Sequence, residues 1–202
     1  MMVKICGIMN RDDALAAIDG GAAALGFNFY PGSPRYIPPQ EAARIIEALP
    51  ASACKVGVFV NESPESVREL VGNTGLDVAQ LHGQEEAAAL PQGIRVWKAL
   101  RVDASFGPRK LAPFDVEAFL LDAPAPHVYG GSGSTFDWSK AAGLGGKIIL
   151  AGGLDAANVR EAIRRARPWG VDACSRLESA PGRKDHGKML AFLKAALSES
   201  EE

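Results

Sequence analysis

Short runs of Val, Ile, Leu and Ala alternate along the chain with stretches whose apolar residues recur every three or four positions, and Gly, Pro, Ser or Asn marks each change. The short runs predict strands at residues 3–6, 24–29, 55–60, 77–81, 94–100, 118–122, 147–151 and 170–173. The longer periodic stretches predict the helices between them. The first is capped by Asn10, carries Asp12 and Asp13 in its opening turn, turns Leu15 and Ile18 inward and stops at Gly20 and Gly21. Ala42, Ile45, Ile46 and Leu49 mark the second, while Ser63-Pro64 opens a third lined by Val67, Leu70 and Val71. A further helix is predicted near residues 85–90. Behind strand five, Phe106-Gly107-Pro108 makes a poor helix, and behind strand six a long loop over 123–135 leads into a weak one near 138–142. Gly152-Gly153 follows strand seven, with a helix beginning near Asp155 that carries Val159, Ala162, Ile163 and Ala166. Met189, Phe192, Leu193 and Ala196 line the last.

Eight strand–helix units in one alternation, with no linker or change of composition, predict a single (β/α)₈ barrel domain over 1–202, an α/β TIM barrel with weak or missing helices after strands 5 and 6. A doubly wound sheet would carry a GxGxxG turn after its first strand, whereas this one ends Cys6-Gly7-Ile8-Met9. The composition is that of a globular chain, with 47% hydrophobic and 23% charged residues. A net charge of -2 lacks the basic footprint of a nucleic-acid binder. The three cysteines, Cys6, Cys54 and Cys174, form no CxxC pair, which suits a reducing compartment. No signal-peptide pattern or membrane-length apolar run is visible, so a cytoplasmic protein without nucleic-acid or membrane partners is expected. The oligomeric state stays open between monomer and oligomer.

In a barrel of this kind the strands' C-terminal ends form the active site. Here they bring Cys6, Asn28, His82, Arg101, Asp122, Gly152, Gly153, Asp172 and Cys174 to one mouth. Each has a plainer reading. Cys6 could be a small core residue, although the glycine after it argues for the strand's edge. Asp122 ends an apolar run, where an unpaired carboxylate is expensive to bury, or it caps a loop. His82 could be a hydrogen-bonded strand-end imidazole; His127 and His186 read as solvated loop residues. Arg35 would be a surface arginine by default, but the stiff Ser33-Pro34 turn can hold its fork at the mouth for a carboxylate or phosphate. Gly152-Gly153, with the loop at Ser175 and Arg176, has the position of a phosphate site in this fold. No GxxxxGK[ST] or HExxH motif occurs, and no carboxylate/histidine cluster calls for a metal.

The segments VKICGI, SPRYI, VGVFV, QLHG, FLLD, GGSGSTFDW, LAGGL and GRKD occur in order from Val3 to Asp185. In these the chain resembles the phosphoribosylanthranilate isomerases of tryptophan biosynthesis. The resemblance implies an Amadori rearrangement of a small-molecule phosphoribosyl substrate, N-(5-phosphoribosyl)anthranilate, to 1-(2-carboxyphenylamino)-1-deoxyribulose 5-phosphate, with no cofactor and no metal. It implies Cys6 as general base and Asp122 as general acid, with Arg35, His82 and Asp172 binding substrate. Gly152, Gly153, Ser175 and Arg176 correspond to the phosphate cradle, and Gly130, Gly131, Ser132 and Gly133 to a mobile loop with serine in place of the usual threonine. Where the family commonly reads Ser-Ser-Gly-Val-Glu, this chain has Cys174-Ser175-Arg176-Leu177-Glu178, and Arg176 lacks a glycine's access to positive φ. Two alternatives stand beside this reading. One is a related phosphosugar isomerase or epimerase, such as the histidine-pathway enzyme, which has an aspartate where Cys6 stands. The other is a non-catalytic phosphosugar-binding barrel.

Overall fold

The computed structural model describes residues 1–124 and 135–199. Eight parallel strands close into a barrel in sequential order: β1 (Met2–Cys6), β2 (Ala24–Asn28), β3 (Cys54–Phe59), β4 (Val78–Leu81), β5 (Arg95–Arg101), β6 (Ala118–Asp122), β7 (Ile148–Leu150) and β8 (Gly170–Ala173). β8 closes on β1 with Lys4 opposite Asp172 and Ile5 opposite Ala173. The strands are buried on both faces, which is why they read as nearly continuous apolar runs instead of a clean alternation.

Two separate cores result. Inside the barrel's lower half, Ala24, Val56, Val78, Trp97, Ala118, Leu120 and Ile149 interdigitate and fill the lumen. The larger core lies between the outer strand faces and the helices, where Ile5, Leu25, Phe27, Phe59, Leu121 and Leu150 meet residues such as Ala14, Ile46, Val67, Ile163 and Phe192. The helices are α1 (Arg11–Asp19), α2 (Pro39–Glu47), α3 (Pro64–Thr74), α4 (Val159–Ala166) and α5 (His186–Ser198). Their starts follow local chemistry. Asn10 Oδ1 accepts the Asp13 N–H at 2.8 Å and Ser63 Oγ the Ser66 N–H at 3.1 Å, each satisfying an amide that the helix itself leaves unpaired.

The crossover after β5 is thin, with a single 3₁₀ turn at Pro108–Lys110, and among the described residues the one after β6 likewise holds a single 3₁₀ turn, Trp138–Ala141. The crossover after β4 is equally thin, contrary to the helix expected over 85–90; only Ala87–Ala89 turn. Glu85 is diverted from helix formation. It takes the Lys98 ammonium at 2.7 Å and accepts the N–H groups of Asn61 and Gly83, while Ala88 and Ala89 have no core to face. The helix expected from Asp155 starts only at Val159. Residues 155–158 form a turn, in which Asn158 Nδ2 donates to the Gly153 carbonyl at 2.8 Å. His186 is exposed, as expected, but it opens α5 instead of lying in a loop, and its Nε2 lies 2.8 Å from Asp13 Oδ1. His127 and the expected mobile loop Gly130, Gly131, Ser132 and Gly133 lie outside the described residues. A small antiparallel hairpin, β9 (Glu178–Ala180) and β10 (Arg183–Lys184), follows β8.

Candidate active site

A cleft of about 590 Å³ opens at the C-terminal ends of the strands. Its walls include Cys6, Asn28, Arg35, His82, Asp122, Gly152, Gly153, Asp172, Cys174, Ser175 and Arg176, whereas Arg101, expected at the same mouth, lines a neighbouring pocket with Gly83 and Leu100. Strand alternation accounts for the convergence. Lys4 and Cys6 are two apart on β1, as are Ala118, Leu120 and Asp122 on β6, so that each strand presents an apolar or paired residue below and a reactive one at the rim.

Asp122 is buried and held at two points. Its Oδ1 accepts the Ala123 N–H at 2.8 Å, and its Oδ2 lies 3.3 Å from His82 Nε2. Gln80 Nε2 contacts His82 Nδ1 at 3.1 Å. An amide nitrogen can only donate, so the imidazole proton of a neutral His82 sits on Nε2, facing the carboxylate. Gly152 stands against this group with φ +84, and a Cβ there would come within 2.7 Å of the Ala123 nitrogen and 2.9 Å of Asp122 Oδ1. The glycine therefore lets β7 approach Asp122 closely, a role the phosphate reading of Gly152 does not require.

On the other side of the mouth, Cys6 shares its surroundings with Lys4, Asp172 and Cys174. Lys4 is wholly buried and donates to Asp172 Oδ1 at 2.9 Å. Burial pushes the Asp172 carboxyl up to about 6, against the pull of Lys4. Burial also opposes the Lys4 charge, but Asp172 and Cys6 more than compensate and hold its ammonium above the ordinary lysine range. A hydrogen bond from the Cys174 thiol holds the Cys6 thiol well below its usual value; the Lys4 and Lys184 charges assist, outweighing burial. Cys174 shifts the opposite way, raised by that same hydrogen bond and by burial. Cys6 is thus the more acidic thiol of the pair.

Arg35 is positioned by its loop. Asn28, at the end of β2, donates to Ser33 Oγ at 3.2 Å, and Ser33 Oγ in turn accepts the Arg35 N–H at 3.1 Å. The guanidinium then grips Glu178 in a fork, Nε to Oε1 at 2.9 Å and Nη2 to Oε2 at 2.7 Å. Lys184 Nζ reaches Glu178 Oε1 at 3.0 Å. Burial works against the Glu178 charge, but these two cations hold its carboxyl below the usual range. Arg176 donates from Nη1 to Asp155 Oδ2 at 3.0 Å, bridging the loops after β7 and β8. It sits in a 3₁₀ turn and is not among the residues with positive φ, so arginine in the glycine slot is accommodated without strain.

Sequence reasoning gave no role to Lys4, Cys174, Glu178 or Lys184. Lys4 did leave a signal, a charge in an apolar strand two residues before Cys6, whereas the Arg35–Glu178 pair spans most of the chain and has no local signature. Among the described residues no group of three or more His, Cys, Asp or Glu side chains is arranged to hold a metal ion.

An acidified thiol and a hydrogen-bonded carboxyl group at one mouth can remove and deliver protons, and the fork and loop amides beside them suit an anionic substrate. Comparison with known proteins agrees. The family model described as N-(5'phosphoribosyl)anthranilate (PRA) isomerase matches residues 3–195. The protein named N-(5'-phosphoribosyl)anthranilate isomerase of Solibacter usitatus is 53% identical over 97% of both chains. Its namesake from Myxococcus xanthus is 46% identical over 97% of this chain and 96% of its own. Among solved structures, the phosphoribosyl anthranilate isomerase of Thermus thermophilus superposes with a TM-score of 0.90 at 40% identity, covering 98% of this chain and 99% of that one. An isomerase of the same name in complex with reduced 1-(o-carboxyphenylamino)-1-deoxyribulose 5-phosphate matches with a TM-score of 0.84 at 38% identity, over 98% and 99% of the two chains.

Proposed function

The chain belongs to the N-(5'-phosphoribosyl)anthranilate isomerase family, and from that premise we propose how its mouth residues carry the Amadori rearrangement of tryptophan biosynthesis. The substrate is an aminoribose phosphate with an anthranilate carboxylate at its other end, and it becomes the 1-amino-1-deoxyribulose 5-phosphate. Asp122 protonates the ribose ring oxygen, the C1–O bond breaks, and the nitrogen lone pair forms an iminium. The Cys6 thiolate then takes the C2 proton, and the electron pair of that C–H bond moves into the iminium to give an enolamine, which tautomerises to the ketone. The iminium is an electron sink within the substrate, so these steps are complete without a cofactor.

Several observations support this division of labour. Cys6 is the lowered thiol of the mouth, which suits proton abstraction near neutral pH. Asp122 has a second proton-bearing group, the His82 imidazole, at 3.3 Å. Arg35 commits Nε and Nη2 to Glu178 and offers its remaining Nη1 to the anthranilate carboxylate. Gly153, Ser175 and Arg176 receive the phosphate between the loops after β7 and β8, and His82 and Asp172 contact the sugar. Residues 1–202 act as one catalytic domain in this reading. A cytoplasmic setting accords with unpaired thiols and with described helices that are all too short or polar to cross a membrane.

The observation that carries the assignment is the meeting of Cys6 and Asp122 on one cleft from β1 and β6. Expression in a tryptophan auxotroph lacking this step tests it: growth without tryptophan is expected. Failure to grow with soluble protein present favours a binding barrel or a different isomerase.

A further inference from the structure

We propose that Cys6 and Cys174 form a reversible dithiol oxidation site, which peroxide closes into a disulfide across the mouth. The pairing of β1 with β8 sets Lys4 opposite Asp172 and Ile5 opposite Ala173, and Cys6 and Cys174 are the residues that follow this last pair. Adjacent strands run about 4.8 Å apart, inside the span of about 4.4–6.8 Å between Cα atoms that a disulfide bridges. Both thiols line the same cleft, and Cys174 Sγ lies against Gly7, the residue that follows Cys6. Cys54 stands at the start of β3, at the far end of the barrel, and does not line the cleft.

The chemistry balances with a hydroperoxide as oxidant. The Cys6 thiolate attacks the O–O bond; a sulfur–oxygen bond forms, hydroxide departs, and the sulfur has lost two electrons to the peroxide. The Cys174 sulfur then attacks the sulfenic sulfur, the S–S bond forms and the S–O bond breaks, so that hydroxide leaves again. Once Cys6 is oxidised, the Cys174 thiol proton turns to Glu178 Oε1, 3.9 Å from Cys174 Sγ, and finally joins a departing hydroxide. The proton that Cys6 released on forming its thiolate joins the other hydroxide, so that two thiols and one hydrogen peroxide yield one disulfide and two waters. Lys184 Nζ, 3.8 Å from Cys174 Sγ, favours the attacking sulfur as a thiolate. The loss of activity on oxidation rests on Cys6 being the base, whereas formation of the bond does not.

The test treats the purified full chain with dilute hydrogen peroxide, then maps its peptides by mass spectrometry and measures turnover. A linked pair carrying Cys6 and Cys174 is expected, with turnover reduced about a hundredfold, the scale of a lost general base, and both reversed by dithiothreitol. Cys54→Ser should respond as the unmodified chain does. Cys174→Ser, referred to its own reduced activity, should give no linked pair and should pass on to a sulfinic acid that dithiothreitol does not reverse. A linked pair with turnover intact supports the oxidation site and overturns Cys6 as base. Oxidation of the unmodified chain without a Cys6–Cys174 pair, or a pair that includes Cys54, overturns the proposal.

Discussion

Cys6 and Lys4 show how two residues on one strand divide the work. Lys4 has no exposed surface and spends its charge on Asp172 and the Cys6 sulfur. The sign of its effect is definite: a cation beside the thiol favours the thiolate, so Cys6 deprotonates below the ordinary thiol value of 9.0. Alkylation of Cys6 by iodoacetamide should therefore stay fast as pH falls through 9.0 towards neutrality, with its inflection on the acid side of that value. In Lys4→Met the inflection should move up, and the rate at neutral pH should drop about tenfold or more as the thiolate fraction falls. An unchanged profile means that Cys174 and the Lys184 charge hold the thiolate without Lys4. Arg35 is tied down just as firmly, and because its fork grips Glu178 bidentately, Arg35→Lys should raise KM more than it lowers kcat, measured with the phosphoribosyl substrate.

Among the elements, strands and capped helices are the legible part of this chain. Most strands are short apolar runs ended by a polar residue or Gly, and Asn10 and Ser63 announce their helices through side chains that reach only three residues. The rim residues were legible for the same reason, being the polar residues that end apolar runs. What sequence alone did not yield depends on distant partners. Glu85 belongs to a helical-looking stretch until Lys98, on the next strand, captures it. Glu178 reads as an ordinary surface acid until the Arg35 loop folds over it. The positive φ of Gly152 is likewise visible only once β7 lies beside Asp122. Gly152→Ala should lower kcat about tenfold or more by displacing the acid, with Cys6 alkylation unchanged, since the strain of a left-handed alanine falls on the β6–β7 side of the mouth. A lower alkylation rate in that variant shows that the two sides of the mouth are not independent.

The whole molecule divides into a lower barrel that holds shape and an upper rim that carries polar groups. Trp97 is almost fully buried in the lumen beneath the cleft, and its indole nitrogen has no hydrogen-bond partner there. Its contribution is therefore volume. Trp97→Ala should destabilise the fold by about 3–5 kcal/mol in urea denaturation, while Trp97→Phe, which keeps a ring and removes the unpaired N–H, should cost less. A phenylalanine variant as unstable as the alanine one contradicts that reading. The proposed chemistry, by contrast, is confined to the rim and needs a base on β1 and an acid on β6. The most direct test follows substrate fluorescence with purified Cys6→Ala and Asp122→Asn, each checked for native thermal unfolding. Both should lose kcat by about a hundredfold or more while remaining folded. Turnover near that of the unmodified chain in either folded variant contradicts the assignment of that residue and with it the proposed acid/base pair.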